Sequence, residues 1–358
     1  MRELSARELN RALLARQLLL ERARLPLPRA VERMGGVQAQ YAPSTYIGLW
    51  SRVHGLEREH ATRALERRSL VQGTLMRVTI HVVSARDYWP LALAIRDERR
   101  RWWLRTHRNA PAAGTMQSGA ARLRRALAKG PLSRAEIAER FAAEPAVFNG
   151  LGLWLDLVRV PPAGTWERRR ADLYAAAEDW IGPPHTAPDK GLDLLVRRYL
   201  GAFGPATASS IASWASLTAE ALAPALERLS LRRFRDEEGN ELLDLPRAPL
   251  PPGDAPAPPR FLPTWDATLL AHARRTRILP EHLRPLVFNT KTPHSAPTFL
   301  VDGGVAGTWR VERTKTAATL RMTPFEPLPR AARRALVEEG ETLVRFHEPH
   351  AHAYRVRV

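Results

Sequence analysis

Two glutamines two residues apart, Gln38 and Gln40 in the run Gly35-Gly36-Val37-Gln38-Ala39-Gln40-Tyr41-Ala42-Pro43, are the side chains of this chain best spaced to act together on one reacting centre. On an α-helix that spacing would turn them roughly 200° apart, whereas an extended or turning segment sets them on one side. The glycine pair before them and Pro43 after them favour a non-helical backbone. Two converging amides, each with two donors and two acceptor lone pairs, can hold one water and one sugar or base edge. An amide does not titrate, so neither glutamine can serve as a strong general base, and the chemistry they support must need little acid or base. Taken alone, the pair reads equally as amides that cap or bridge loops at a helix end.

Other constellations offer less. Arg99-Arg100-Arg101-Trp102-Trp103 places arginines beside aromatics, a combination suited to phosphate and stacking. On a helix the more economical reading is Trp102 and Trp103 as core anchors with the arginines facing water. His347, His350 and His352 have a metal-like spacing, but their surroundings fix no carboxylate geometry beyond Glu348, and no metal is expected. Asp266 after Trp265 is either an acid placed by the fold or, as favoured here, the cap of a helix over 267–274. His81, on a predicted strand, is expected to be partly buried yet within reach of a bound substrate.

The elements that would position these residues repeat a grammar. Ser5 with Glu8 makes a capping box, and leucines at helical spacing predict a helix over 5–22. Shorter helices are expected over 29–34 and 46–53. The β-branched, alternating stretch 73–83 then reads as two strands of a wing. Helices followed by a hairpin are winged-helix grammar. The same order returns at 132–141, where Ser133 caps, followed by a strand up to Val160 and a basic hairpin at 164–170. It returns again from Gly201 through Trp214 to a hairpin with its tip at 234–241. A proline-rich linker over 246–259 precedes a strand-rich end, with a Gly303-Gly304 hairpin turn, strands over 317–322 and 351–358, and a helix over 330–341. The expected architecture is α+β: winged-helix modules at 1–118, 119–186 and 187–250, then a C-terminal barrel-like domain at 259–358.

Composition points to the partner. The chain has 358 residues, a formal charge of +18 and 44% hydrophobic residues, the last typical of a globular protein. Lys129, Lys190, Lys291 and Lys315 are its lysines, and all other residues of its 55 Lys and Arg are arginine. A composition rich in Arg, Ala and Pro reflects a GC-rich coding sequence in part, but does not explain why acidic residues fail to balance the arginines. Phosphate binding does. Cysteine is absent, which excludes disulfides, thiol nucleophiles, thiolate zinc and cysteine-bound iron–sulfur clusters. No run of about 18 apolar residues reads as a membrane span, and the first ten residues lack a signal-peptide core. A cytoplasmic, nucleoid-associated protein is expected.

With these residues in view, the chain resembles the winged-helix DNA glycosylases, the AlkZ- and YcaQ-like family, over almost its whole length. The resemblance is carried by Val37-Gln38-Ala39-Gln40; by Gly73-Thr74-Leu75-Met76-Arg77 with Ile80-His81; by Arg198 to Ala206; by Leu262-Pro263-Thr264-Trp265-Asp266; and by Val301-Asp302-Gly303 with Ala306 to Arg310. Each is weak alone, and the five in this order are specific. The family's catalytic motif is Gln-x-Gln or Gln-x-Asp, and this chain matches the first form. The resemblance implies a concave DNA cradle and excision of N7-alkylguanine, including bulky adducts and interstrand crosslinks. On that reading Gln38 contacts water and sugar and Gln40 positions the water, and the absence of a neighbouring lysine argues for hydrolysis without a Schiff base. The side chains expected to meet DNA are Arg77 and His81 on the first wing, Arg168, Arg169 and Arg170 beside the second, and Arg310 in the C-terminal hairpin. Double-stranded DNA containing alkylated purines is the expected partner, with no cofactor and no obligatory protein partner, the chain acting as a monomer. The competing readings are a non-catalytic winged-helix regulator and a structural protein that bridges duplexes.

Overall fold

The computed structural model describes residues 1–272, 274–288 and 295–358. Three times a set of helices runs into a two-stranded hairpin, and a strand-rich segment follows. The first set is Ala6–Arg16, Leu27–Arg33, Ala42–Trp50 and Arg58–Glu66, ending in strands Leu70–Thr74 and Ile80–Ser84. The capping box forms as expected, with Ser5 accepting from the Glu8 amide and Glu8 from the Ser5 amide. The helix stops six residues short of Arg22, because Leu18 turns into the left-handed region at φ 59°. The helix Arg58–Glu66, which the sequence reading passes over, has a mixed polar surface and only Ala61, Ala64 and Leu65 buried.

The second set begins with the long helix Ala85–Thr106 and continues through Ala113–Leu127, Arg134–Arg140 and Pro145–Trp154 to strands Leu157–Arg159 and Leu173–Ala176. The basic stretch 164–170 is not a hairpin of its own. It lies within the loop joining those two strands, where the Gly164 amide donates to the Arg168 carbonyl. The third set comprises Pro188–Phe203, Ala208–Ala215 and Ala219–Arg228, with strands Arg232–Asp236 and Glu241–Asp244.

Pairing ties these units together. The first two wings share one six-stranded sheet, joined where Gln72 and Gly73 face Arg159 and Val158. The short strand Val37–Gln38 lies at one edge of that sheet, and Leu132–Ser133 at the other. The third wing takes its outer strand from the start of the chain, with Arg2–Leu4 parallel to Arg232–Asp236. Beneath that contact, Arg16 and Asp244, both fully buried, form a two-pronged ion pair at 2.6 and 3.0 Å. The proline-rich linker has no strand or helix but is held in place: Arg7, Arg11 and Arg16 donate to the carbonyls of Gly253, Ala255 and Pro249.

The C-terminal part is a five-stranded sheet in sequence order, Arg260–Leu262, Thr298–Val301, Gly304–Arg313, Ala317–Pro324 and Ala353–Arg357. No pairing between its first and last strands closes it among the described residues. The helix Arg330–His347 buries Leu336, Leu343 and Val344 in the same apolar cluster as Phe261 and Leu320. The hairpin turn is Asp302-Gly303 rather than Gly303-Gly304, with φ of 45° and 80°, as a two-residue turn with both positions left-handed requires.

Candidate active site

The glycine pair does what its position suggests. Gly35 and Gly36 have φ of 73° and 89°, ending the helix Leu27–Arg33 and turning the chain into the strand Val37–Gln38. That strand runs antiparallel to the first wing, with Gln38 opposite His81. Alternation sends Val37 and Ala39 into the core, at 7% and 1% exposure, and leaves Gln38 and Gln40 on the other side. The extended conformation persists past the strand: Ala39 donates to the Ile80 carbonyl at 2.7 Å, and Tyr41, at φ −128°, caps the helix Ala42–Trp50 with Pro43 in its first turn.

The two amides are held differently. Gln38 is buried, and its Oε1 accepts from Arg77 Nη2 at 2.7 Å. Gln40 is exposed, and its Oε1 accepts from the Ile80 amide at 2.6 Å, standing in for the next rung of the ladder. Each carbonyl oxygen spends one of its two lone pairs, so each retains one for a water or a sugar.

Arg77 sits on the tight loop between the wing strands, where Arg77 and Val78 have φ of 54° and 55°. Two consecutive non-glycine residues in that region are strained by about 1–3 kcal/mol each. The loop thereby turns Arg77 back over Gln38, and its Nη1 donates to the Trp214 carbonyl at the end of a helix of the third set. Burial pulls the guanidinium down to about 10, so it remains cationic at neutral pH. His81 is buried rather than partly exposed, its Nδ1 facing the Thr79 carbonyl at 3.1 Å. Burial, then the Arg77 charge, pushes it down to about 3, so the imidazole is neutral.

Arg169 reaches the same neighbourhood through Tyr41, donating to its hydroxyl at 2.8 Å. Arg168 pairs with Asp172, and Arg170 lies on the surface near the same carboxylate. Arg310 lies on the C-terminal sheet, paired with Glu312, and makes no contact with the glutamines. Asp266 faces the back of this site as a structural group. Its Oδ1 takes Arg52 Nη2, the Thr268 amide and the Thr268 hydroxyl, and it caps a single turn, Ala267–Leu269. The longer helix expected over 267–274 does not form: only this turn does, with residues 270–272 continuing as turn and bend, and residue 273 lies outside the described residues.

On the helix Ala85–Thr106, Trp103 is buried but Trp102 is 43% exposed, while Arg99 is 6% exposed. Adjacent helical residues point about 100° apart, so Arg99, four before Trp103, shares the inward face and Trp102 cannot. His347 ends a helix, and His350 and His352 precede the final strand, so no single element presents the three histidines together. No group of three metal-capable side chains occurs among the described residues. Tyr41, exposed beside Gln40 and gripped by Arg169, was not singled out, though an aromatic directly after the motif was the available signal.

The model of the DNA glycosylase AlkZ-like family matches residues 31–346. The chain belongs to that family. An AlkZ-like chain, the interstrand DNA cross-link repair glycosylase of Streptomyces sahachiroi, is 24% identical over 371 aligned residues, covering 92% of this chain and 93% of the relative. The solved structure of Streptomyces sahachiroi DNA glycosylase AlkZ superposes with a TM-score of 0.79 at 20% identity, covering 99% of this chain and all of that one. The AlkZ-like fold is therefore shared over the full length, from the wings to the C-terminal sheet. No helix among the described residues is long and apolar enough to cross a membrane.

Proposed function

We propose that this DNA glycosylase hydrolyses the N-glycosidic bond of N7-alkylguanine in duplex DNA, with Gln38 and Gln40 as its catalytic pair. One observation carries the reading: an extended segment sets both amides on one side, with a backbone amide fixing the second. N7-alkylguanine already bears a positive charge on its imidazole ring. When the C1′–N9 bond breaks, its electron pair neutralises that ring, and the base departs without being protonated. The sugar becomes oxocarbenium-like, and the free lone pairs of the two amides stabilise it while holding the water whose oxygen attacks C1′. That water's proton passes to solvent. Non-titrating groups suffice, and the neutral His81 adds no repelling charge.

Arg77 opposes this chemistry while it holds Gln38, because a cation on the amide oxygen competes with the developing sugar cation. In the DNA complex Arg77 turns to a phosphate and frees that oxygen. Arg168, Arg169 and Arg170, in the loop of the second wing, contact the backbone of the same duplex. Three modules in one chain supply the surface that dimeric readers assemble from two, so a monomer suffices. The relative's name specifies crosslink repair, and the exposed lip formed by Gln40 and Tyr41 supports bulky adducts and crosslinks here too, since it does not enclose the base.

The test is single-turnover release of N7-methylguanine from a methylated duplex, and of the corresponding product from a crosslinked one. Release by the wild type with losses of about tenfold or more in Gln38→Ala and Gln40→Ala supports the assignment. No release from either duplex, alongside tight binding to unmodified DNA, would leave a non-catalytic DNA-binding protein.

A further inference from the structure

Between the helix Ala85–Thr106, the loop of the first wing and the second module lies a cavity of about 390 Å³. That is within the range in which proteins hold small ligands, roughly 300–1,000 Å³. Three guanidinium groups line it, those of Arg99, Arg134 and Arg159, and two of them keep buried N–H groups without a partner among the described residues. Arg99, 6% exposed, gives Nη1 to the Thr74 carbonyl at 2.9 Å, but its Nε and Nη2 have no hydrogen-bond partner among the described residues. Arg159 gives Nη1 to the Thr74 hydroxyl at 3.0 Å and stacks on Tyr174, and its Nε is likewise unpartnered. The lining carboxylate, Asp156, is engaged by Arg96 at 2.6 Å. Three cations thus face a cavity whose lining carboxylate is already paired with Arg96, and Phe148, with Arg134 over its ring, and Trp102 add aromatic surface to the wall.

A buried guanidinium with idle N–H groups is unfavourable unless an acceptor meets it. The acceptor must be anionic to balance the excess of arginine over the one lining carboxylate, and the aromatic walls suit a flat ring attached to it. We infer that this cavity binds a nucleotide, its phosphate on Arg99 and Arg159 and its base against the aromatic wall. The site is separate from the glutamine pair and does not depend on what that pair does. It does touch it mechanically, because Thr74 opens the loop that carries Arg77. The nucleotide is either free in solution or a residue of a DNA strand.

Isothermal titration of the full-length protein with deoxyguanosine 5′-monophosphate, inorganic phosphate and deoxyguanosine tests this. The nucleotide is expected to bind with one site per chain, more tightly than phosphate, with the nucleoside weakest. Arg159→Gln and, separately, Arg99→Gln should each weaken nucleotide binding about tenfold or more. Circular dichroism confirms that each variant is folded, and the half-buried Arg159 provides the test if Arg99→Gln does not fold. A single-stranded oligonucleotide that displaces the nucleotide from the wild type places a strand residue in the cavity, and failure to displace it places a free nucleotide there. Absence of nucleotide binding, binding unchanged in a folded Arg159→Gln, or phosphate binding as tight as the nucleotide would each overturn the assignment.

Discussion

At the scale of single residues, the candidate site is built from groups that do not change charge near neutrality. Gln38 and Gln40 do not titrate, His81 is pushed down to about 3 and Arg77 stays cationic with its value near 10. The single-turnover rate constant is therefore expected to be flat from about pH 5.5 to 8.5; a bell with limbs inside that window would mean that a titrating residue carries the chemistry. Stability behaves differently. Burial lowers His81, and also His272, so below about pH 6.5 the unfolded chain binds protons that the native one refuses. Stability is then lost as the pH falls, by about 1.4 kcal/mol per pH unit for each such histidine, and for His81 the loss levels off near its native value. Urea midpoints measured from pH 7 to 4.5 should fall accordingly, and a flat series would contradict the buried, neutral state. Arg77→Gln keeps a hydrogen-bonding group without the charge. If the cation docks phosphate during the reaction, that variant should weaken binding to methylated duplex several-fold, as fluorescence anisotropy would report.

At the scale of elements, the features that hold the site are side-chain clasps between distant segments. Asp244, on the third wing, receives Arg16 and Arg232, and is fully buried. Asp244→Ala would strand the buried Arg16 cation, and a loss of about 3–5 kcal/mol in unfolding free energy is expected. The Asp302-Gly303 turn is a second clasp. Gly303 has φ 80°, and a Cβ there would lie 2.5 Å from Asn10 Oδ1 and 2.6 Å from Arg11 Nη1. Gly303→Ala should destabilise by at least about 1–3 kcal/mol from backbone strain, before any displacement of the first helix. Thermal melts of the two variants compare these directly, and a midpoint unchanged in either would remove that clasp from the account.

At the scale of the whole molecule, charge governs how the chain meets its substrate. A formal charge of +18, nearly all arginine, gives a long-range attraction to duplex DNA that salt screens. The log of the DNA association constant should fall linearly with the log of salt concentration, at a slope of about −4 or steeper if four or more phosphates are engaged. A slope near zero, measured by anisotropy across a salt series, would mean that the excess arginine reflects coding bias rather than binding. The shared sheet of the first two wings and the strand lent by residues 2–4 to the third make these modules one body, so a DNA surface formed by several of them is carried as a unit.

What could be read without coordinates was whatever depends on local order. The capping boxes at Ser5 and Ser133, the two-residue alternation of the wing strands, the glycine pair before Val37 and the excess of arginine all act over a few residues or over the whole composition. The motif Gln38-Ala39-Gln40 was legible for the same reason, since an extended backbone fixes which side its side chains take. Partners distant in sequence were not legible. Nothing near Arg77 announces that it will fold back on Gln38, nothing near Arg16 names Asp244, and three successive arginines do not reveal that Arg99 alone faces inward. The pairing of residues 2–4 with a strand more than two hundred residues later also left no local trace. These choices were made by the tertiary structure, because the pairing of a buried charge is settled by the surroundings that packing brings to it, and identical residue types elsewhere in the chain remain in solvent.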